Sequence, residues 1–248
     1  MRSAVRRVAT APFRLLPSGM RRRLVQAALH AAASQTPKDA LRELLTIDSD
    51  VSGLIDQTAL AYGDGVHVKH RLMRYHDFFV ERLAPGERVL DIGCGYGAVA
   101  FSMASRADAQ VTGIEMDARN VAEAARLFPH ANLRVIHGEA PQDIPSEHFD
   151  TVVMSNVLEH IDRRVAFLRD VQQRVAARRW LIRVPMFNRD WRPSLRQELG
   201  LFAYSDPTHY TEYTRDSFEA EMREAGFAIA HLQVNWGEIW AAVEPQRS

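Results

Sequence analysis

The sequence predicts an α/β domain built on a mainly parallel β-sheet, and three observations support this fold class. From residue 88 onward, short apolar runs alternate with helix-like segments, the pattern of parallel strands joined by crossover helices. The first run, residues 88–92, opens into a glycine-rich turn, the place where ligands bind in such sheets. The chain has 248 residues, enough for one domain of this kind with a modest extension.

Composition and charge exclude several other classes of protein. The 31 basic and 31 acidic residues balance, so no overall positive field recruits nucleic acid, and we expect no nucleic-acid partner. The single cysteine, Cys94, excludes an intrachain disulfide and a paired-cysteine metal site. No apolar run approaches the roughly 20 residues of a membrane span. We therefore expect a soluble, cytoplasmic protein, and the sequence leaves its oligomeric state open.

The amino-terminal segment, residues 1–24, is basic, with seven arginines and no acid. Three interpretations of it stay open: a partly ordered basic arm, a segment lying on anionic lipid headgroups, and an arginine-rich organellar presequence. Peripheral membrane association through this segment is thus one hypothesis.

Residues 20–62 have helical spacing and predict a small helical cap. Thr36, followed by proline, is suited to N-cap the second helix of this cap. We therefore divide the chain into a basic arm with a helical cap, residues 1–66, and a main domain, residues 67–248. Within the main domain, residues 185–214 form an insertion that we expect to bind the substrate.

A glycine loop follows the first strand. Gly93, Gly95 and Gly97 allow sharp turns and a close approach of ligand to backbone, and a helix is predicted to follow at residues 96–106. The spacing G-x-G-x-G differs from the G-x-G-x-x-G of dinucleotide-binding folds, although a dehydrogenase remains an alternative. The second strand ends in Glu115, whose carboxylate can accept hydrogen bonds from both hydroxyls of a ribose.

The other elements of the main domain are predicted by apolar periodicity and by turn residues. The predicted helices cover residues 70–83, 118–128, 162–176 and 215–225; the predicted strands cover 110–115, 132–136, 149–156 and 179–184, with a closing antiparallel hairpin of 227–234 and 238–244.

Two short motifs together resemble the class I methyltransferases that use S-adenosylmethionine (SAM). The glycine loop reads D-I-G-C-G-Y-G and the second strand ends in V-T-G-I-E-M-D; the resemblance covers roughly residues 67–244. It implies a Rossmann-like sheet of seven strands, six parallel and one antiparallel, with SAM as cofactor and an amino-terminal helical extension outside the domain. The cofactor contacts that it implies are His70, Arg71, Asp91, Gly93, Cys94, Gly95, Glu115, Met116, Glu139, Ala140 and Asn156.

The resemblance also assigns roles to some of these residues. Glu139 and Ala140 match the acidic and small pair whose carboxylate binds the adenine amino group. His70 and Arg71 lie in the helix before the first strand, from which they could reach the methionine carboxylate.

The turn after the fourth strand reads V-L-E-H, as in similar methyltransferases of the ubiquinone-biosynthesis and small-molecule type. Methyltransferases that act on exocyclic amines of bases have N/D-P-P-Y/F at this point, where it holds an extruded base. Its absence here argues against base methylation.

The insertion after the fifth strand is rich in aromatic and arginine residues and contains D-P-T-H, a motif common in small-molecule and glycan methyltransferases. Rings that stack and guanidinium groups that clamp favour a polar acceptor, such as a sugar or a lipid-linked glycan. The residues that we expect to bind it are Trp191, Arg192, Tyr204, Tyr210 and Tyr213.

Two histidines are the candidate catalytic residues. Histidine is the side chain suited to proton transfer near neutral pH, so we expect His160 or His209 to act as general base toward a hydroxyl acceptor. Related metal-dependent O-methyltransferases carry a glutamate three residues before their Glu-His pair, where this chain has Asn156, so we expect no metal. The sequence thus predicts an O-methyltransferase, with a catalytically silent scaffold subunit of the same fold as the alternative.

Overall fold

The computed structural model describes residues 13–246, which divide into two compact units. Residues 13–67 together with Arg196–Leu201 form a helical unit, and the other described residues form a sheet unit. In chain order the elements are α1 (Ser18–Ala33), α2 (Pro37–Tyr62), α3 (Lys69–Met73), α4 (Tyr75–Val80), β1 (Arg88–Ile92), α5 (Ala98–Arg106), β2 (Gln110–Glu115), α6 (Ala118–Leu127), β3 (Leu133–His137), β4 (Thr151–Ser155), a 3₁₀ turn (Leu158–His160), α7 (Arg164–Arg174), β5 (Arg179–Pro185), α8 (Arg192–Glu198), α9 (Arg215–Glu224), β6 (Phe227–Asn235) and β7 (Glu238–Pro245).

The sheet has the strand order β3-β2-β1-β4-β5-β7-β6. Strands β1 to β5 pair in parallel, while β7 lies antiparallel between β5 and β6. Six strands therefore run in one direction and β7 in the other, which confirms the predicted fold. The central strands are buried on both faces, as their continuous apolar runs require.

Two helix predictions need correction. The helix predicted over 70–83 breaks at Arg74, which has a φ of +53°, and ends at Val80. Periodicity could not detect the break, because Tyr75 and Phe79 still reach the core beyond it. The helix predicted from residue 96 begins only after Gly97, whose φ of +83° is not helical.

The helical unit is an antiparallel pair of α1 and α2. The Thr36 side chain accepts a hydrogen bond from the backbone N–H of Asp39 at 3.4 Å and caps α2, as predicted. The Arg42 guanidinium donates to the carbonyl of Leu199 at 2.9 Å, so the segment Arg196–Leu201 packs on α2. This segment lies inside the predicted substrate insertion, in which α8 is a regular element that the sequence did not predict.

Half of the predicted basic arm, residues 1–12, lies outside the described residues. The described part of the arm runs into α1, whose first turn carries no acid. Among the described residues, no helix combines the length and the apolar character that crossing a membrane requires.

Candidate active site

The glycine loop brings β1 and the turn after β4 together. Gly93 has a φ of +65°, and a Cβ added there would lie 2.8 Å from a methyl carbon of Val157. Gly95 has a φ of +57°, and its N–H donates to Oε2 of Glu115 at 2.9 Å. Only glycine meets both demands at position 93, and the loop is tied to the end of β2.

Glu115 is buried at the end of β2 and holds the loops around it. Its Oε1 accepts a hydrogen bond from the N–H of Asp117 at 2.9 Å, while Oε2 accepts the bond from Gly95. A carboxylate oxygen accepts more than one hydrogen bond, so the group keeps capacity for ligand hydroxyls.

A cavity of about 280 Å³ lies at the carboxyl ends of β1, β2 and β4. This edge of a parallel sheet is where ligands bind in open α/β folds, and the volume is near the lower end of ligand pockets. Its lining includes seven of the predicted site residues: Gly93, Glu115, Met116, Glu139, Ala140, Asn156 and His160. The other lining residues are Ile92, Ile114, Gly138, Val157, Ile161 and Phe167.

The cavity lining does not include three of the predicted cofactor residues, Asp91, Cys94 and Gly95. Asp91 is buried in β1, and burial, with the nearby charge of Glu115, raises its pKa to about 8. Its Oδ2 has no hydrogen-bond partner among the described residues. The thiol of Cys94 packs against Gly113, where an added Cβ would lie 2.6 Å from the sulfur, and burial raises the pKa of that thiol. Cys94 is therefore a packing residue.

His70 and Arg71 also lie outside the cavity lining. The Nδ1 of His70 lies 2.8 Å from the hydroxyl of Tyr75, and its Nε2 lies 3.0 Å from the hydroxyl of Tyr96. The structure thus places His70 in a hydrogen-bonded cluster that supports the glycine loop through Tyr96, whereas Arg71 is exposed.

His160, at the mouth of the cavity, is held by the D-P-T-H segment. The Thr208 hydroxyl donates to Oδ1 of Asp206 at 2.6 Å and lies 2.9 Å from Nδ1 of His160. Since this hydroxyl has only one proton to give, Nδ1 of His160 must be the donor to it. Neutral His160 therefore keeps its free lone pair on Nε2. Burial and the charge of His209 lower the pKa of His160, which favours this neutral form.

His209 is oriented by Glu212, a residue that the sequence did not single out. The Nδ1 of His209 donates to Oε1 of Glu212 at 3.1 Å, because a carboxylate oxygen can only accept. Ser205 donates to the same oxygen through its N–H at 2.5 Å and its hydroxyl at 2.6 Å, and Arg189 pairs with Oε2. Burial alone would raise the pKa of Glu212, but these hydrogen bonds lower it to about 2. The sequence offered one sign of this partner, which is the acidic residue three positions after His209.

The two histidines and Glu159 form one polar cluster. The imidazole rings of His160 and His209 are 4.7 Å apart at 75°, and the N–H of Tyr210 donates to the carbonyl of Glu159 at 2.8 Å. Both carboxyl oxygens of Glu159 are buried without a partner among the described residues, and burial raises the pKa of this group to about 8.

Potential ligand atoms of Glu159, His160 and His209 all lie within 4.8 Å of one another. Imidazole nitrogens with a carboxylate can hold a divalent cation. The expectation that the site uses no metal therefore stays a prediction.

The predicted substrate residues lie in different environments, some exposed and one in the core. Tyr204, five residues before His209 in the chain, packs edge-to-face with Phe187 and Phe202. Trp191 and Tyr210 are exposed, at 63% and 60%, and Arg192 lies beside the ring of Trp191. The structure places Tyr213 in the core instead: it is 1% exposed, and its hydroxyl donates to Glu221 at 2.6 Å.

A family model for a methyltransferase domain matches residues 65–232, more than half of the chain. The chain belongs to this methyltransferase family. The match covers the glycine loop, the histidine pair and most of the sheet, and it removes the dehydrogenase alternative. The chain is a class I SAM-dependent methyltransferase.

Curated relatives match a shorter part of the methyltransferase. It is 36% identical over 101 residues to the ribosomal protein L11 methyltransferase of Burkholderia thailandensis, which is 41% of this chain and 32% of that protein. The corresponding protein of Ralstonia nicotianae is 34% identical over 101 residues, 41% of this chain and 33% of the relative. The chain thus matches about a third of the length of these relatives.

Solved structures share the fold at low identity. A putative methyltransferase from Haloferax volcanii in complex with the Trm112 activator aligns with a TM-score of 0.61, at 11% identity, over 75% of this chain and 95% of that one. An enzyme from Clostridium acetobutylicum aligns at 0.56, with 14% identity, over 75% and 100%. Magnesium protoporphyrin IX methyltransferase from Synechocystis, crystallised with SAM, aligns at 0.52, with 18% identity, over 73% and 81%.

SAM is the cofactor of this methyltransferase, and the cavity residues fit it. Gly93 leaves room that a Cβ would fill, and Glu115 offers carboxylate oxygens beside it. Asn156, in the cavity lining, has a buried side-chain oxygen without a partner among the described residues. An orphaned acceptor of this kind suits the donor groups of an amino-acid ligand.

Proposed function

We propose that this methyltransferase transfers the methyl group of SAM to a hydroxyl of a small polar acceptor, such as a sugar or a lipid-linked glycan. The observation that carries the proposal is the place of His160 in the cavity lining, where its Nδ1 donates to Thr208 and its neutral ring keeps a lone pair on Nε2. A hydroxyl must lose its proton as it attacks a methyl carbon, and a neutral imidazole is suited to take that proton.

His160 is proposed as the proton acceptor because it lines the cavity in which SAM supplies an electrophilic methyl group. The positive charge that then develops on its ring is compensated through Thr208 by Asp206. The ring of His209 lies 4.7 Å from the ring of His160 and is held there by its pairing with ionised Glu212. Such general base catalysis typically contributes 10²–10⁴-fold.

Methyl-labelled SAM, incubated with the purified enzyme and cell extract, tests the proposal. We expect label in the small-molecule fraction, and mass spectrometry then identifies the acceptor. His160→Ala is expected to lower the rate by about 10²–10⁴-fold with unchanged SAM affinity. The control is His148→Ala, which removes an exposed histidine whose ion pair within residues 13–246 is with Asp150. Equal rates for both variants and wild type would remove His160 from the mechanism.

Methylation of a protein is a second candidate, supported by the names of the curated relatives. That support covers only about 101 residues of this chain. The same experiment separates the candidates, because label in the protein fraction alone would favour a protein acceptor. The scaffold alternative would be favoured by bound SAM without any labelled product in either fraction.

A further inference from the structure

The distal half of α2, residues 48–62, buries none of its residues, and its ion pairs among the described residues are those of Asp48 with Arg196 and Asp56 with His67. All its residues except Ala59 are exposed. Yet four apolar side chains share one face of the helix, which we call the α2 stripe: Val51 (48% exposed), Leu54 (52%), Ile55 (61%) and Tyr62 (78%). Such a face is normally buried against another helix.

Helix α1 carries a second exposed stripe. Met20 and Leu24 lie one turn apart and are 52% and 46% exposed, and at 100° per residue the exposed Ala27 and Ala31 continue the same face. We call this the α1 stripe. Helix α1 buries only Ala32, which lies about 120° around the helix from Met20 and about 80° from Leu24.

The charges beside the two stripes are opposite. Helix α1 contains Arg21, Arg22 and Arg23 and no acid, whereas residues 48–62 contain three aspartates and no lysine or arginine. Arg21 and Arg23 flank the α1 stripe on either side, and Asp50 flanks the α2 stripe. Among residues 13–246, no ion pair involves any of these three arginines or Asp50.

We propose that the methyltransferase forms a homodimer in which the α1 stripe of one copy packs on the α2 stripe of the other. Because each copy carries both stripes, a two-fold axis generates the contact twice, as in an isologous interface. The lengths agree: α1 has 16 residues, roughly 24 Å, and residues 48–62 span roughly 22 Å.

Two other occupants fit less well. Two α2 stripes packed on each other would bring their aspartates together, and like charges destabilise such a pair. An anionic membrane would accept the basic α1 stripe but would repel the acidic flank of α2 and leave its apolar face bare. A second copy covers both stripes and pairs both charges.

Sedimentation equilibrium on the full chain tests the dimer. We expect a mass of twice 28.1 kDa, about 56 kDa, for wild type. Leu54→Glu is expected to give a monomer with an unchanged thermal midpoint, because this side chain is already half exposed within one copy. Arg23→Glu and Asp50→Arg should each weaken the dimer by roughly tenfold. Arg22→Glu is the matched control: it makes the same change in charge on the face of α1 opposite Met20 and Leu24.

The most discriminating measurement is the sedimentation of a mixture of Arg23→Glu chains with Asp50→Arg chains. Each homodimer of these variants sets like charges against each other twice, whereas the heterodimer holds one native contact and one reversed contact. We therefore expect wild-type affinity in the mixture. A mixture no tighter than the separate variants would overturn the proposal, as would a wild-type chain that stays monomeric at its highest soluble concentration. A monomer that sediments with phosphatidylglycerol vesicles would assign α1 to a membrane instead.

Discussion

Glu212 is the residue on which the orientation of His209 depends. It is buried, ionised, and bonded to Ser205, Arg189 and His209 through its two oxygens. Glu212→Gln keeps the shape but removes the charge, so we expect a roughly 10–100-fold lower turnover with unchanged SAM affinity, as for other partners that orient a functional histidine. Unchanged turnover would mean that the contact only stabilises the fold.

The same carboxylate makes stability depend on pH. Its folded pKa of about 2 lies below its ordinary value of 4.5, so its contribution is complete above pH 4.5 and is lost as pH falls toward 2. That contribution is about 3 kcal/mol at pH 7, of which less than roughly half remains at pH 3. Urea unfolding should show the difference between wild type and Glu212→Gln shrinking over this range. A constant difference would contradict the assignment.

His160 predicts the pH dependence of the reaction. A base must be deprotonated, so kcat/KM should rise with pH through the pKa of His160. Since burial and the charge of His209 lower that pKa, the midpoint of the acidic limb should lie below the ordinary value of 6.5. A midpoint above 6.5 would argue against His160 as the base.

The reaction is expected to need no metal, so activity should persist after dialysis against EDTA. Loss of activity that Mg²⁺ or Zn²⁺ restores would show a metal held by Glu159, His160 and His209.

Among the secondary-structure elements, β1 and the turn after β4 approach each other closely at the glycine loop. In Gly93→Ala the new Cβ would lie 2.8 Å from Val157 in a left-handed conformation, so SAM binding should fall at least roughly tenfold. Val157→Ala in the same chain should restore part of the loss. Gly53→Ala is the control, because a Cβ there would meet no described atom within 4 Å apart from its chain neighbours and the backbone of its own helix, and the change should stabilise the helix by about 1 kcal/mol. Titration calorimetry measures the SAM affinity of Gly93→Ala, of the double variant with Val157→Ala, and of Gly53→Ala.

Structural features that depend on a short run of neighbouring residues were predictable from the sequence. The strands, the glycine loop and Glu115 at the end of β2 each follow from a short run or a fixed spacing, and the structure brings them to one edge of the sheet. The features that were missed depend on distant contacts. Arg196 lies 151 residues from Leu45, to which it donates a hydrogen bond. Composition likewise could not distinguish Tyr204 from the buried Tyr213.

In the methyltransferase as a whole, SAM is expected to bind in the cavity formed by the glycine loop and Glu115. Isothermal titration of the full chain with S-adenosylhomocysteine, the demethylated product, tests it most directly. Wild type and His148→Ala should bind equally, since His148 lies away from the cavity lining. Glu115→Ala should bind at least roughly tenfold more weakly, because it removes a charged acceptor and loosens the loop. Equal affinity for all three proteins would mean that the cofactor does not bind beside Glu115.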